Sequence, residues 1–379
     1  MKFTCTRENL NKALNIVGRI INKNSTLPIL NNVLLKTEKG RLKLSSTNLE
    51  IGINYWIGGK IEESGEITVP TKLFANFISN LPNNNIEIKS REDILNIKCG
   101  GYKTNIKGLD PKEYPLAPKL EMEPIFKIKS SDFKKALSQV LPAVSNSESR
   151  IEITGVFLNF SELNKNKITL VATDSYRLAE KDINLKKDNI NKKFKDILGN
   201  VNSIIIPKDT IQELIRILGE NEEMLEIIIS ENQILFNFES ASVISRLIEG
   251  KYPDYKQIIP DKFESQITIN KNEIINSIKV ASLFSNISNN SIELKLLNSS
   301  KNLEISSEIS DLGNNNTKIP AENINKNLNI LYNHKFLLDG FNSLNGDKVF
   351  LQINNETLPT ILTSAADKGF IYVIMPTRA

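Results

Sequence analysis

Residues 126–142 read Phe-Lys-Ile-Lys-Ser-Ser-Asp-Phe-Lys-Lys-Ala-Leu-Ser-Gln-Val-Leu-Pro, and a recognisable copy of this stretch occurs twice more. One copy opens the chain: Phe3, Cys5, Leu10, Lys12, Ala13, Leu14 and Val17 stand where Phe126, Ile128, Phe133, Lys135, Ala136, Leu137 and Val140 stand, at an offset of about 123. In the last third, Ile267, Ile269, Ile274, Ser277 and Ile278 take the places of Phe126, Ile128, Phe133, Ala136 and Leu137. Each copy starts with alternating apolar residues and then switches to apolar residues three and four apart, so each predicts a strand followed by a helix. Ser130 or Ser131 is the expected N-cap of the middle helix and Pro142 its exit. A period of roughly 120 to 140 residues is too long for a solenoid, so each repeat is expected to be a domain with its own core.

The length of 379 residues suits two or three domains. At 40% hydrophobic and 24% charged, the composition is that of an ordinary soluble protein. No apolar run approaches the roughly 18 residues of a membrane span, and the first residues lack the apolar segment of a signal peptide. A cytoplasmic location is expected. Cys5 and Cys99 lie far apart with no Cys or His nearby, which predicts buried free thiols rather than a disulfide or metal site. Asn-x-Ser/Thr triplets such as Asn24-Ser25-Thr26 and Asn289-Asn290-Ser291 arise by chance in a chain this rich in Asn. The net charge of +4 says little by itself about a polyanionic partner.

A second helix follows in every repeat. Pro70-Thr71-Lys72 leads into Leu73, Phe74, Phe77, Ile78 and Leu81, and Pro207-Lys208 into Ile211, Leu214, Ile215 and Leu218. Asn333-His334-Lys335 leads into Phe336, Leu337, Phe341 and Leu344. Proline at a helix start costs no hydrogen bond. Strand patterns fill the rest, among them 32–37, 41–44, 51–57, 86–89, 94–98, 155–160, 168–172, 225–229, 234–238, 292–297, 349–353 and 372–375. The fold class is therefore α+β: three repeated domains, each of antiparallel sheets backed by two helices. Boundaries in the Pro-rich segments 110–124 and 251–261 give domains of 1–123, 124–264 and 265–379. The middle one is longer because of residues 179–201, where Lys186, Lys187, Lys192, Lys193 and Lys195 are mixed with Asp182, Asp188 and Asp196; a solvated loop is expected, with a DNA-contacting loop as the alternative.

Motifs for chemistry are missing. There is no phosphate-binding Gly-rich loop, nucleophile elbow or metal-ligand pair, and no cofactor is expected. The single histidine, His334, reads as a cap or surface residue. Gly58-Gly59 and Gly100-Gly101 both read as hairpin turns. The helix charges carry more information. Arg7, Lys12, Arg19, Lys72, Lys134, Lys135, Lys208, Arg216, Lys271, Lys279 and Lys335 face Glu8, Asp132, Asp209, Glu213, Glu273 and Asp339, which leaves the six helices at about +5 and the remainder at about −1. If the helices share one surface, that surface attracts a phosphate backbone without sequence preference.

Four stretches carry a resemblance: Thr26-Leu27-Pro28-Ile29-Leu30, Ala172-Thr173-Asp174-Ser175-Tyr176-Arg177-Leu178, Gly250-Lys251-Tyr252-Pro253-Asp254-Tyr255 and Tyr372-Val373-Ile374-Met375-Pro376-Thr377-Arg378. Together, and in this order over the whole chain, they resemble the bacterial sliding clamp family, the beta subunit of DNA polymerase III. The resemblance implies a head-to-tail homodimer closing into a ring, a heterologous contact that closes after two subunits. Twelve helices would line the hole around duplex DNA, with the basic helix residues above as the DNA-binding set. It also implies a seam at Ile106 and Leu109 on one end and Leu283 and Phe284 on the other.

The family's pocket for short linear motifs maps onto Arg150, Ile153, Thr173, Ser175, Tyr176, Arg177, Leu178, Pro253, Ile258, Asn333, Phe336, Val373, Met375, Pro376, Thr377 and Arg378. Its implied partners are the alpha subunit of DNA polymerase III, the clamp-loader delta subunit, and other polymerases and repair proteins. Val373 and Met375 also read as plain strand core. The sequence departs from better-known relatives at Asn24, Ile151 and Glu152, where those carry basic and aromatic residues that touch DNA. The function expected is a non-catalytic processivity clamp. The alternatives are a monomeric, non-specific nucleic-acid-binding protein, which would hold linear and circular DNA alike, and a nucleotide-processing enzyme, which would turn over a substrate.

Overall fold

A computed structural model describes residues 1–21, 27–115, 122–219, 222–260, 262–285, 290–298, 301–309 and 313–377. The chain divides into two compact units. The first holds Met1–Lys134, Lys187–Asn200 and Asp209–Leu247; the second holds Lys135–Lys186, Val201–Lys208 and Ile248–Ala379.

The repeated strand–helix pattern forms as the sequence dictates. Strand Lys2–Thr6 runs into α1 (Arg7–Val17), where the Thr6 hydroxyl accepts the Asn9 amide and Leu10, Ala13, Leu14 and Val17 are buried. Burying each such leucine contributes roughly 1.5–3 kcal/mol. The second helix of this third, α2 (Thr71–Ser79), buries Phe74 and Ile78. The middle third supplies α3 (Ser130–Val140), the short α4 (Phe194–Leu198) and α5 (Lys208–Ile217); the last supplies α6 (Lys271–Ser282) and α7 (His334–Ser343). Pro70 and Pro207 each end a strand, and the helix starts one residue later.

In the first unit a five-stranded antiparallel sheet runs Lys60–Glu63, Lys2–Thr6, Asn85–Arg91, Ile94–Cys99, Tyr102–Lys107. An eight-stranded sheet runs Phe126–Lys129, Met224–Ile229, Gln233–Asn237, Ala241–Arg246, Ile51–Ile57, Arg41–Thr47, Asn32–Glu38, Glu66–Pro70. It joins strands from the first and middle thirds, with Ile51 opposite Ser245 and Tyr55 opposite Ala241. The second unit carries a twelve-stranded sheet in which Arg177–Asn184 pairs with Phe370–Ile374, so strands of the middle and last thirds are also joined.

Several expectations need correction. Gly58-Gly59 is not a hairpin, because Ile51–Ile57 and Lys60–Glu63 belong to different sheets. A Cβ at Gly59 would lie 2.4 Å from both the Phe3 ring and the Thr4 carbonyl, so the residue permits a close crossing. Gly100-Gly101 is a hairpin turn between Cys99 and Tyr102, with Gly100 at φ +55°. Ser130 is the first residue of α3 rather than its cap, and its hydroxyl donates to the Glu223 carbonyl. Residues 179–201 are not a solvated loop: they contain most of strand Arg177–Asn184 and the helix α4. His334 is buried at the first turn of α7, whose cap is Asn333, and burial followed by the Lys335 charge holds its pKa below the usual histidine value. Cys5 and Cys99 are buried free thiols, and burial pushes the Cys5 thiol up to about 12.

Candidate peptide-docking site and basic helix faces

The site is built on the turn between strands Lys167–Thr173 and Arg177–Asn184 in the second unit. Asp174 makes the turn: its Oδ1 accepts the amides of Tyr176 and Arg177, both at 3.0 Å. The Thr173 hydroxyl donates to the Arg177 carbonyl (2.7 Å) and accepts the Ser175 amide (3.1 Å). Ser175 is thereby held at φ +76°, and its hydroxyl receives Nη1 of Arg150 at 3.1 Å. Arg150 also pairs with Glu152, whose carboxyl lies below the usual range because its own backbone amide and then Arg150 donate to it.

The turn leaves Tyr176 64% exposed, with its ring stacked on Phe336 at 6.3 Å. The Arg177 guanidinium lies over the same Phe336 ring, 4.3 Å from its centroid, and pairs with Asp174 (2.9 Å) and with Asp339. Burial pulls this guanidinium toward neutrality, but Tyr372, Asp339 and Asp174 outweigh that and hold it charged. The Tyr372 hydroxyl receives Arg177 Nη1 (3.3 Å) and donates to the Phe336 carbonyl (2.9 Å). Hairpin, helix and terminal strand are thus tied at one point.

The next residues along the two strands, Leu178 and Val373, are paired and belong to an apolar cluster with Ile153, Val171, Ile205, Tyr252, Tyr255 and Ile361. Of the sixteen residues named from sequence, Ile153, Leu178 and Val373 are therefore buried in this cluster, Val373 as strand core. Arg150, Ser175, Tyr176, Arg177 and Phe336 are joined directly by the contacts above. Met375 is half-buried beside them, its amide donating to the Tyr176 carbonyl. Thr173 is buried in the turn, and Pro253, which follows Tyr252 in the chain, is half-buried. Asn333 caps α7, Thr377 donates its amide to Leu331, Pro376 is half-buried, and Ile258 is exposed. Arg378 and Asn24 lie outside the described residues. The sequence reading missed Asp174, Asp339 and Tyr372 as site residues. Asp339 had a signal, since it follows Phe336 by three on the same helix face.

The basic helix residues divide into two groups. Arg7 donates to the Ile78 and Ser79 carbonyls at the end of α2, Arg19 to the Asn15 carbonyl and Lys271 to that of Leu344. Arg216 pairs with buried Glu213, and Lys208 donates to Asn146. Lys134 is half-buried and engaged. By contrast Lys12, Lys72, Lys135, Lys279 and Lys335 are exposed, and their ammonium groups have no partner among the described residues. They come from α1, α2, α3, α6 and α7.

At the expected seam, Leu283 is 72% exposed, Leu109 is exposed and Phe284 half-buried. Ile106 is buried. At 4% exposure it lies opposite Leu95 in the five-stranded sheet, while among the described residues strand Tyr102–Lys107 is paired along one edge only.

A strand–helix unit repeated three times, each copy with antiparallel strands and two main helices, is the architecture of a DNA clamp. Models of the N-terminal, central and C-terminal domains of the DNA polymerase III beta subunit match residues 1–118, 127–254 and 256–378. The chain belongs to the DNA polymerase III beta subunit family, the sliding clamps, which are non-catalytic processivity factors of the polymerase. It is 29% identical to the beta sliding clamp of Staphylococcus aureus over 388 aligned positions, covering 100% of this chain and 99% of that one. Among solved structures, the DNA polymerase sliding clamp of Bacillus subtilis superposes with a TM-score of 0.91 at 27% identity, covering 100% of this chain and 99% of that one. The sliding clamp of Bartonella birtlesii, solved bound to griselimycin, superposes with a TM-score of 0.92 at 26% identity over 100% of both chains.

Proposed function

We propose that the chain forms a head-to-tail homodimeric ring of six domains, bounded at 1–123, 124–264 and 265–379 in each subunit. The ring encircles duplex DNA in the cytoplasm and holds the replicative polymerase to it. The observation that carries this reading is the set of five exposed lysines without partners among the described residues, on five helices whose other faces are buried. Such charges supply an attraction to phosphate that is indifferent to sequence. The engaged cations Arg7, Arg19, Lys208, Arg216 and Lys271 contribute less, since each already holds an intramolecular acceptor. The seam joins the Leu109 end of one subunit to Leu283 and Phe284 of the other. The pocket that includes Ile153 and Val373 takes linear motifs of the polymerase alpha subunit, the clamp-loader delta subunit and other polymerases and repair proteins.

The test is topological. A binder making 6 to 10 direct phosphate contacts loses about a thousandfold or more in affinity between 50 and 200 mM salt. The protein loaded on nicked circular DNA is expected to survive that change and to leave quickly once the circle is cut. Equal loss from cut and uncut DNA, following salt alone, would refute the ring and favour a monomeric binder.

A further inference from the structure

We propose that Asp339 is a positioning residue for peptide docking: it clamps the Arg177 guanidinium onto Phe336 and so holds the Tyr176–Phe336 pair in place before a peptide arrives. The inference rests on the pocket reading above. Arg177 is flanked by two carboxylates, Asp174 in its own turn and Asp339 on α7. Asp174 is already used by two turn amides and fixes the arginine only to its own hairpin. Asp339 is one helical turn beyond Phe336, so its ion pair draws the hairpin toward the helix that carries the aromatic wall. Tyr372 closes the arrangement by receiving Arg177 and donating to the Phe336 carbonyl. With both carboxylates engaged by the guanidinium, its charge is compensated, and the Tyr176–Phe336 pair is left as an apolar surface for a peptide end. A ring pair already stacked costs a ligand less ordering entropy.

The first unit supplies a natural contrast. The residue at the place of Asp339 is Glu213 on α5, that of Phe336 is Thr210, and that of Arg177 is Ile51. With no arginine opposite, Glu213 pairs with Arg216 of its own helix, and Thr210 bonds to Ser245. The carboxylate bridges hairpin and helix only where the aromatic is present.

The experiment is a fluorescence titration of the full chain with a labelled peptide carrying Gln-x-x-Leu-Phe. Asp339→Ala is expected to weaken binding about tenfold, Asp339→Glu to recover most of it, and Asp339→Ala with Arg177→Lys to lose less than the sum of the two singles. Circular dichroism and sedimentation of each variant should match wild type. Wild-type affinity in Asp339→Ala, alongside weakened binding in Met375→Ala, would overturn the positioning role and leave the pocket standing. Strict additivity of the two changes, or no recovery in Asp339→Glu, would also overturn it. Binding that ignores Met375→Ala and Tyr176→Ala would overturn the pocket and this inference together.

Discussion

Two strand junctions in this molecule share a backbone and differ in what they hold. In the first unit Thr47-Asn48-Leu49-Glu50 leads into Ile51–Ile57, paired with Ala241–Arg246; in the second Thr173-Asp174-Ser175-Tyr176 leads into Arg177–Asn184, paired with Phe370–Ile374. The turns match bond for bond. Asn48 Oδ1 accepts the amides of Glu50 and Ile51 as Asp174 Oδ1 accepts those of Tyr176 and Arg177. Thr47 bonds to the Ile51 carbonyl and Leu49 amide as Thr173 does to Arg177 and Ser175. Leu49 and Ser175 both sit at φ +76°, and the Arg246 amide meets Glu50 as the Met375 amide meets Tyr176. The side chains differ, most of all in Glu50, Ile51 and Thr210 against Tyr176, Arg177 and Phe336. A repeated backbone fixes where a groove can form, and three side chains decide whether an aromatic wall is built there.

The far ends of the two junctions should separate most strongly. Phe238 is buried where the second unit has Asp367, itself 4% exposed and paired with Lys181, Gln139 and Asn345. Phe238→Ala should cost about 3 kcal/mol by loss of apolar contact and cavity formation, equally at pH 4 and pH 8. Burial raises the Asp367 pKa, but Lys181, Gln139 and Asn345 outweigh it and hold it below the usual value. A carboxyl with a lowered native pKa stabilises the fold above the ordinary aspartate range, near 3.9, and loses that contribution as pH falls through its native pKa. Asp367→Asn should therefore cost about 2 kcal/mol at pH 7 in urea unfolding, with the gap from wild type narrowing toward pH 3. A gap independent of pH would remove the ionic half of the comparison.

Making the second junction resemble the first is the next largest change. Arg177→Ile strands Asp174 and Asp339 without their cation. Because Asp339 is partly exposed, the loss should fall below that of a fully buried pair, at about 2 kcal/mol by urea unfolding.

How far the sequence could be read follows from the same residues. Strand–helix periodicity, the buried face of α1 and the exposed lysines are local patterns, so they were legible. The sharing of sheets between thirds was not. The pairing of Ile53 with Val243 leaves no mark on either strand alone, and a Gly-Gly between two strand patterns looks alike whether or not the strands pair. The pocket positions came from resemblance rather than from patterning. Asp339 went unrecognised because its partner is 162 residues away, and the burial of Ile106 could not be read because it depends on Leu95 across the hairpin.

The smallest effect concerns the shared turn. Leu49 is 48% exposed in a left-handed conformation that a branched side chain resists. Leu49→Gly should gain about 0.5 kcal/mol in thermal or urea unfolding, since relief of strain slightly exceeds glycine's entropy cost. Ser175→Gly relieves the same backbone but removes the Arg150 contact, so it should weaken peptide binding while leaving stability near wild type. Destabilisation by Leu49→Gly would mean that the exposed leucine has a packing role the turn does not explain.

The central claim is that one junction docks a peptide and its copy does not. Isothermal titration of the wild-type chain with the Gln-x-x-Leu-Phe peptide measures this directly, at an expected affinity in the micromolar range or about −8 kcal/mol. The account predicts one peptide per chain, abolished or strongly weakened by Met375→Ala and unchanged by Leu49→Gly. Two peptides per chain, or a single site that responds to Leu49→Gly and not to Met375→Ala, would contradict it.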